Sequence, residues 1–412
     1  MSAPATLRHA LAQGVLEGSY DPQFAPVAEA FVENFRIRGE VGASVALSVA
    51  GERVLDLWGG IADPDSGRVW AEDSVSLVWS CTKGATALCA HILASRGLLD
   101  LEAPVAAIWP EFASAGKERA TTRMMLDHSV GVPVLRAEAK ADCVMDWEYM
   151  TERLAAEPPF WEPGTRNGYH ALTFGFTVGE IVRRVSGQSL GSFFQEQVAR
   201  PLGIDFWIGL PEAIEPRVAT IIGNAEPPKT PTPFLLTAFS DLQSIQNRML
   251  FNSGTWATIG LHTRAGRAAE IGAANGITNA RGLAGMYAPL ANGGGGLVDP
   301  DTLARMEEVA VATHQDATLL LPTRFSLGFM KSMDNRRRQP GGDSAILGRR
   351  AFGHVGAGGS IGFADPECGL SFGYTMNRMG QGIMLNERGQ GLIDAAYRCL
   401  GYRSNAAGVW VK

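Results

Sequence analysis

Val78-Trp79-Ser80-Cys81-Thr82-Lys83-Gly84 opens the clearest helical pattern in the first hundred residues. Behind it Ala85, Leu88, Cys89, Ile92 and Leu93 fall at helical spacing, and the run stops near Arg96-Gly97. A helix starting at about Ser80 sets Ser80 and Lys83 one turn apart on one face, where hydroxyl and amine meet. A serine hydroxyl attacks carbonyls poorly until a neighbouring base takes its proton, and a lysine is a base only where its surroundings lower its pKa. Burial of the helix start would do that, and its N-terminal N–H groups suit a developing oxyanion. The competing reading is a capping serine followed by a solvated lysine, so the rest of the chain must decide.

Composition bounds the answer. With 412 residues, 46% hydrophobic and 19% charged, the chain can bury a large core and is not disordered. Thirty-six basic against 42 acidic residues give a net charge of -6, and without a basic stripe nucleic acid is a poor partner. Arg336-Arg337-Arg338 sits in a Gly/Pro-rich segment and reads as a solvated loop. Cys81, Cys89, Cys143, Cys368 and Cys399 are odd in number and lack metal-type spacing, which argues against a disulfide framework or a zinc site. Met1 to Gly18 has no signal-type apolar core and no run of eighteen apolar residues occurs, so the expectation is a soluble cytoplasmic protein with no membrane partner.

In chain order, Val27, Phe31 and Phe35 predict a first helix ending at Arg38-Gly39. Ala43 to Val49 and Arg53 to Trp58 read as a hairpin around Ala50-Gly51-Glu52. The middle is mainly helical: Thr121 to His128, Phe174 to Val185, Ser189 to Leu202 and Asn279 to Ala291, with a long loop from Asn224 to Pro233. Phe325 to Met330, Ala351 to Ala364 and Leu370 to Asn377 are extended candidates, and Leu392 to Leu400 closes the chain as a helix. Strands at both ends with helices between predict one α/β (α+β) domain over 1–412. Its antiparallel sheet would come from 1–78 and 300–412, with a mainly helical lobe, 79–299, inserted.

Two further segments carry chemistry. The loop Trp161-Glu162-Pro163-Gly164-Thr165-Arg166-Asn167-Gly168-Tyr169-His170-Ala171 presents a phenol, which a cation such as Lys83 would hold as phenolate; the bland reading of Tyr169 is a packed aromatic. Phe352-Gly353-His354-Val355-Gly356-Ala357-Gly358-Gly359-Ser360 is glycine-dense within a strand pattern, as where a substrate lies along an edge strand. A backbone N–H near Ala357 would be an oxyanion donor with His354 aimed into the cleft; the bland reading is a bulge. Gly187-Gln188-Ser189-Leu190-Gly191 spells G-x-S-x-G, but a helical pattern precedes it where a nucleophile elbow needs a strand, so Ser189 reads as a helix cap.

Taken in order, Trp79 to Gly84, Tyr169-His170-Ala171 and His354-Val355-Gly356 resemble the S-x-x-K, Y-x-N and K-T-G elements of the serine β-lactamase and penicillin-binding-protein superfamily. The chain is most similar to class C β-lactamases and family VIII carboxylesterases, with supporting segments over nearly its whole length. The resemblance implies a Ser80 acyl-enzyme, Lys83 and Tyr169 sharing the proton work, Ser80 and Ala357 N–H groups as oxyanion hole, and no cofactor or metal. His354 and Gly356 would line the substrate site.

Two departures bear on substrate. Ala171 stands where a class C β-lactamase has asparagine, and His354 where it has the K-T-G lysine, groups that help bind a β-lactam's amide side chain and carboxylate. The expectation is therefore a carboxylesterase acting on small, short-chain acyl esters. A β-lactamase, amidase or acyltransferase of the same fold, and a non-catalytic scaffold, are the alternatives.

Overall fold

Gly42–Val49 and Glu52–Asp63 pair antiparallel across a turn in which Ala50 and Gly51 take φ of 50° and 84°, the handedness that a tight hairpin demands. The computed structural model describes residues 3–224, 231–338 and 343–412. It builds on this hairpin a sheet in the order Ala5–Ala10, Val15–Tyr20, Glu52–Asp63, Gly42–Val49, Leu370–Met376, Ile361–Asp365, Phe352–Val355, every neighbour antiparallel. Leu370–Met376 lies directly beside Gly42–Val49, with Tyr374 opposite Val45, so the sheet joins the two ends of the chain.

The two faces bury different things, because successive side chains alternate. Val45, Leu47, Leu55 and Leu57 point toward Val27 and Phe31 of the Ala25–Ile37 helix and Leu392 and Ile393 of the Glu387–Cys399 helix. The opposite face carries Ala46, Gly362 and Gly373, and the Ala280–Ala291 helix lies so close to it that a β-carbon on Gly373 would strike the Ala280 carbonyl oxygen. Beyond that helix, a second core forms around the Thr82–Ser95 helix, buried from Thr82 to Leu93 and packed on the Thr173–Ser186 helix. A small sheet of Ser76–Leu77, Gly276–Thr278 and Phe206–Ile208 fixes where the Thr82–Ser95 helix begins.

Several elements differ from the sequence reading. The chain starts with a hairpin, Ala5–Ala10 and Val15–Tyr20, not with the first helix; only Leu16 of it is buried, so it shows no alternation. Phe325 to Met330 is a hairpin bend: Phe325 ends a short strand and bridges to Met330, with Gly328 at φ 88° between them. Ala351 to Ala364 is two strands, Phe352–Val355 and Ile361–Asp365, reversed at Gly358 and Gly359 with φ of 84° and 116°. Ser189 to Leu202 is helical throughout but loosens into a π-turn at Gln195–Ala199. The helices Pro233–Ser240 and Ile245–Phe251 were not read from the sequence, although Thr232 and Ser244 cap them. Of the loop expected from Asn224 to Pro233, residues 225–230 lie outside the described residues. Arg336 pairs with Asp334 and Asn405, and Arg338 contacts His314. Among the described residues no helix is long and apolar enough to cross a membrane, and the five cysteines are free thiols.

Candidate active site

Ser80 sits one residue before the cap of the Thr82–Ser95 helix, held by a turn in which the Lys83 N–H donates to the Ser80 carbonyl oxygen at 3.0 Å. Trp79 before it takes φ 47°, left-handed backbone that is costly for so bulky a side chain, by about 1–3 kcal/mol. That turn aims Ser80 at Lys83. Lys83 Nζ lies 3.1 Å from Ser80 Oγ, 2.7 Å from the Ala171 carbonyl oxygen and 3.0 Å from the Ala273 carbonyl oxygen. Lys83 is fully buried, and desolvation holds its pKa well below the ordinary lysine value. A neutral amine has two hydrogens and one lone pair. In the neutral form that desolvation favours, the hydrogens would go to the two carbonyls and the lone pair would face the Ser80 hydroxyl.

Tyr169 arrives from 86 residues further along, on a loop pinned at many points. Gly164 donates to the Ser129 carbonyl at 3.0 Å, Trp161 Nε1 to the same oxygen at 2.9 Å, and Gly168 to the His128 carbonyl at 3.1 Å. The Tyr169 N–H donates to both carboxylate oxygens of Asp316, at 3.0 and 3.1 Å. Lys83 Nζ stands 4.7 Å from the centre of the Tyr169 ring, and the phenol interacts with the Ser80 hydroxyl. Serine, lysine and tyrosine therefore meet in one place. Burial raises the Tyr169 pKa and lowers that of Lys83, so desolvation disfavours both charges of a lysine-held phenolate. His170 is structural: its Nε2 accepts from the Val132 N–H at 3.0 Å and its Nδ1 meets the Gly168 carbonyl at 2.7 Å.

Asp316 was not found from the sequence. It is fully buried and accepts N–H groups from Tyr169, Thr318 and Leu319 and the Thr323 hydroxyl. An aspartate accepting the N–H groups two and three residues on is an Asx-type turn, the one local signal in Asp316-Ala317-Thr318-Leu319. Nothing local ties it to a tyrosine 147 residues earlier. Asp316→Ala leaves those N–H groups without their acceptor and should cost about 3 kcal/mol in urea unfolding; kcat should fall with it because Tyr169 loses its anchor. Asp316→Asn, which keeps one acceptor oxygen, should lose less of both.

His354, Gly356 and Ala357 come in on the edge strand and its turn. Cys81 Sγ donates to the His354 carbonyl at 3.2 Å, Ser360 Oγ donates to the Val78 carbonyl at 3.1 Å, and a β-carbon on Gly356 would overlap that same Val78 oxygen. This contact lays the turn carrying Ala357 against the Ser80 segment. The His354 ring is 6.0 Å from that of Tyr169. Its Nδ1 donates to the Val355 carbonyl at 2.7 Å, so Nε2 carries a lone pair, buried and without a partner. Desolvation lowers its pKa to about 3, which makes it neutral where a lysine would bring charge. Cys81 is packed, its thiol pushed up to about 12 by burial. Ser189 caps the Leu190–Phe194 helix and donates to Glu270 Oε1 at 2.7 Å, with helix rather than strand before it.

A family model described as Beta-lactamase matches residues 28–393 of this chain. Over 379 residues the chain is 38% identical to the Esterase/beta-lactamase LipL of Mycobacterium tuberculosis, which covers 88% of this chain and 83% of that protein. A solved structure described as a family VIII carboxylesterase is 39% identical, with a TM-score of 0.78 over 93% of this chain and 99% of the other. A penicillin-binding-protein homolog from Caulobacter crescentus is 34% identical, with a TM-score of 0.81 over 93% and 99%.

Proposed function

Because this chain belongs to the beta-lactamase family and is an esterase/beta-lactamase-like serine hydrolase, we propose that it is a carboxylesterase for small acyl esters, working through a Ser80 acyl-enzyme. The observation that carries this reading is the buried Lys83 amine 3.1 Å from Ser80 Oγ and 2.7 and 3.0 Å from the Ala171 and Ala273 carbonyls. Ser80 Oγ attacks the ester carbonyl as its proton passes to Lys83, and the oxyanion lies between the Ser80 and Ala357 N–H groups. The carbon–oxygen bond to the alcohol then breaks. Tyr169 gives its proton to the leaving alkoxide and regains one from the Lys83 ammonium. Water repeats the sequence on the acyl-enzyme and releases the acid. Lys83 and Tyr169 exchange one proton and titrate as a pair.

The substrate follows from what the site lacks. Neutral His354 and the methyl of Ala171 offer no charge to a carboxylate and no amide to an acylamino side chain. A panel of p-nitrophenyl acetate, p-nitrophenyl butyrate, a linear amide and nitrocefin tests this. The esters should be turned over with the highest kcat/KM; nitrocefin in first place would make the protein a β-lactamase instead, the other half of the M. tuberculosis relative's name. Ser189→Ala should leave ester hydrolysis intact and cost about 1 kcal/mol in denaturant unfolding, as loss of a helix cap does. Loss of hydrolysis in that variant would return Ser189 to the mechanism.

A further inference from the structure

Three consecutive backbone N–H groups, on Gly168, Tyr169 and His170, each find an acceptor outside that segment. Asp316 takes the one on Tyr169. The two on either side go to a single residue: the His128 carbonyl accepts from Gly168 at 3.1 Å, and the His128 ring Nδ1 accepts from His170 at 3.1 Å. His128 therefore grips the chain both before and after Tyr169.

The same ring packs on the phenol. Its centre lies 4.9 Å from that of Tyr169, 4.8 Å from Phe325 and 5.1 Å from Phe174, and Phe325 stacks on Tyr169 at 6.0 Å. The backbone bonds fix where the Tyr169 side chain starts, and the ring contacts limit how far it swings. An Nδ1 that accepts leaves the hydrogen on Nε2 and the ring neutral. Burial, which holds the His128 pKa well below the ordinary histidine value, acts in the same direction.

His128 lies two residues beyond the Thr122–Leu126 helix with φ 66°. That is left-handed backbone, which glycine takes freely and few other residues tolerate. A glycine would serve the turn and keep the carbonyl acceptor, but it would bring neither Nδ1 nor the ring. The turn alone thus gives no reason for an imidazole, whereas Tyr169 and His170 give two.

We propose that His128 is a positioning residue for the Tyr169 hydroxyl, holding it where it meets the leaving oxygen, and so sets how well this protein hydrolyses esters of weakly acidic alcohols. The proposal rests on the Ser80, Lys83 and Tyr169 reading and deepens it. In that reading the carbon–oxygen bond breaks as the Tyr169 proton passes to the departing oxygen. p-Nitrophenolate is stable enough to leave without that proton and an alkoxide is not, so a displaced phenol harms alkyl esters most.

The test compares kcat/KM for ethyl acetate and p-nitrophenyl acetate in the wild type, His128→Gly, His128→Asn, Tyr169→Phe and the double variant His128→Gly with Tyr169→Phe. Both esters give the same acetyl-enzyme, so their ratio reads only the steps up to loss of the alcohol, and a ratio within one variant is unaffected by loss of folded protein. His128→Gly should lower the ethyl-to-p-nitrophenyl ratio by about tenfold. Asparagine tolerates left-handed backbone and sets its Oδ1 near the place of Nδ1. His128→Asn should therefore recover most of the ratio, with a loss of about threefold left from the missing ring. Tyr169→Phe should lower the ratio at least as far as His128→Gly, and the double variant should lower it no further. An equal fall for both esters in His128→Gly, or an additional fall of the ratio in the double variant, overturns the proposal. If His128→Gly yields no folded protein, His128→Asn decides, and an unshifted ratio there overturns it. A ratio unchanged in Tyr169→Phe sinks the proton role of Tyr169 and the positioning by His128 with it, and wild-type protein inert to both esters sinks the esterase reading itself.

Discussion

Ser80→Ala should lower kcat/KM for p-nitrophenyl acetate by about 10⁴-fold or more, the scale of loss when a serine nucleophile is removed. The residue lies in a turn and is only partly buried, so the variant should fold and leave the melting temperature nearly unchanged. The loss would then be chemical. In the proposed mechanism Lys83 and Tyr169 work through Ser80, so adding Lys83→Ala to Ser80→Ala should cost little more, the non-additivity of groups that act as one unit. Full additivity of the two losses would mean that they act in separate steps.

Lys83→Arg should lower kcat by about 10²- to 10⁴-fold although much of the length and the hydrogen-bond donors are kept. Arginine cannot give up its proton in a protein, so it cannot accept one from Ser80. In the wild type the rate should rise with pH through the lowered Lys83 pKa and reach a plateau once the amine is neutral. Stability carries the same sign. The unfolded chain binds a proton on this lysine below about 10.4 while the folded chain leaves it neutral. Hence the cost of keeping Lys83 buried is nil above that pH and grows as pH falls toward the lowered pKa. Lys83→Met, which has no proton to bind, should flatten that part of the stability profile; an unchanged slope would mean that Lys83 stays charged inside the fold.

The elements that position these groups were unevenly legible. The Thr82–Ser95 helix could be read because its apolar spacing runs for four turns and Arg96-Gly97 stops it. The Leu370–Met376 strand could be read because Leu370, Phe372, Tyr374 and Met376 alternate with the small residues Ser371, Gly373 and Thr375. Ala5–Ala10 and Val15–Tyr20 could not, since a hairpin on the sheet's outer edge with mostly solvated side chains has no pattern to betray it. The apolar runs at Phe325 to Met330 and Ala351 to Ala364 looked extended because hydrophobicity reports burial, whereas Gly328, Gly358 and Gly359 reverse the chain within them.

Within the site the same division holds. Ser80 and Lys83 share a helix turn, so local spacing reveals them. Tyr169 needed the order of three motifs, since only tertiary packing brings it to Lys83. Asp316 and the carbonyls of Ala171 and Ala273 were invisible: backbone oxygens carry no sequence signature, and what they do to Lys83 depends on burial from every side. Ala171 stood out in the sequence as a departure from asparagine. In the fold its backbone carbonyl accepts from Lys83 Nζ at 2.7 Å.

Intact mass after exposure to a fluorophosphonate, followed by peptide mapping, tests the central claim most directly. The account predicts one adduct, on the peptide containing Ser80, absent from Ser80→Ala and slowed in Lys83→Arg. An adduct on Ser189, or ester turnover by protein that carries none after full exposure, would contradict it.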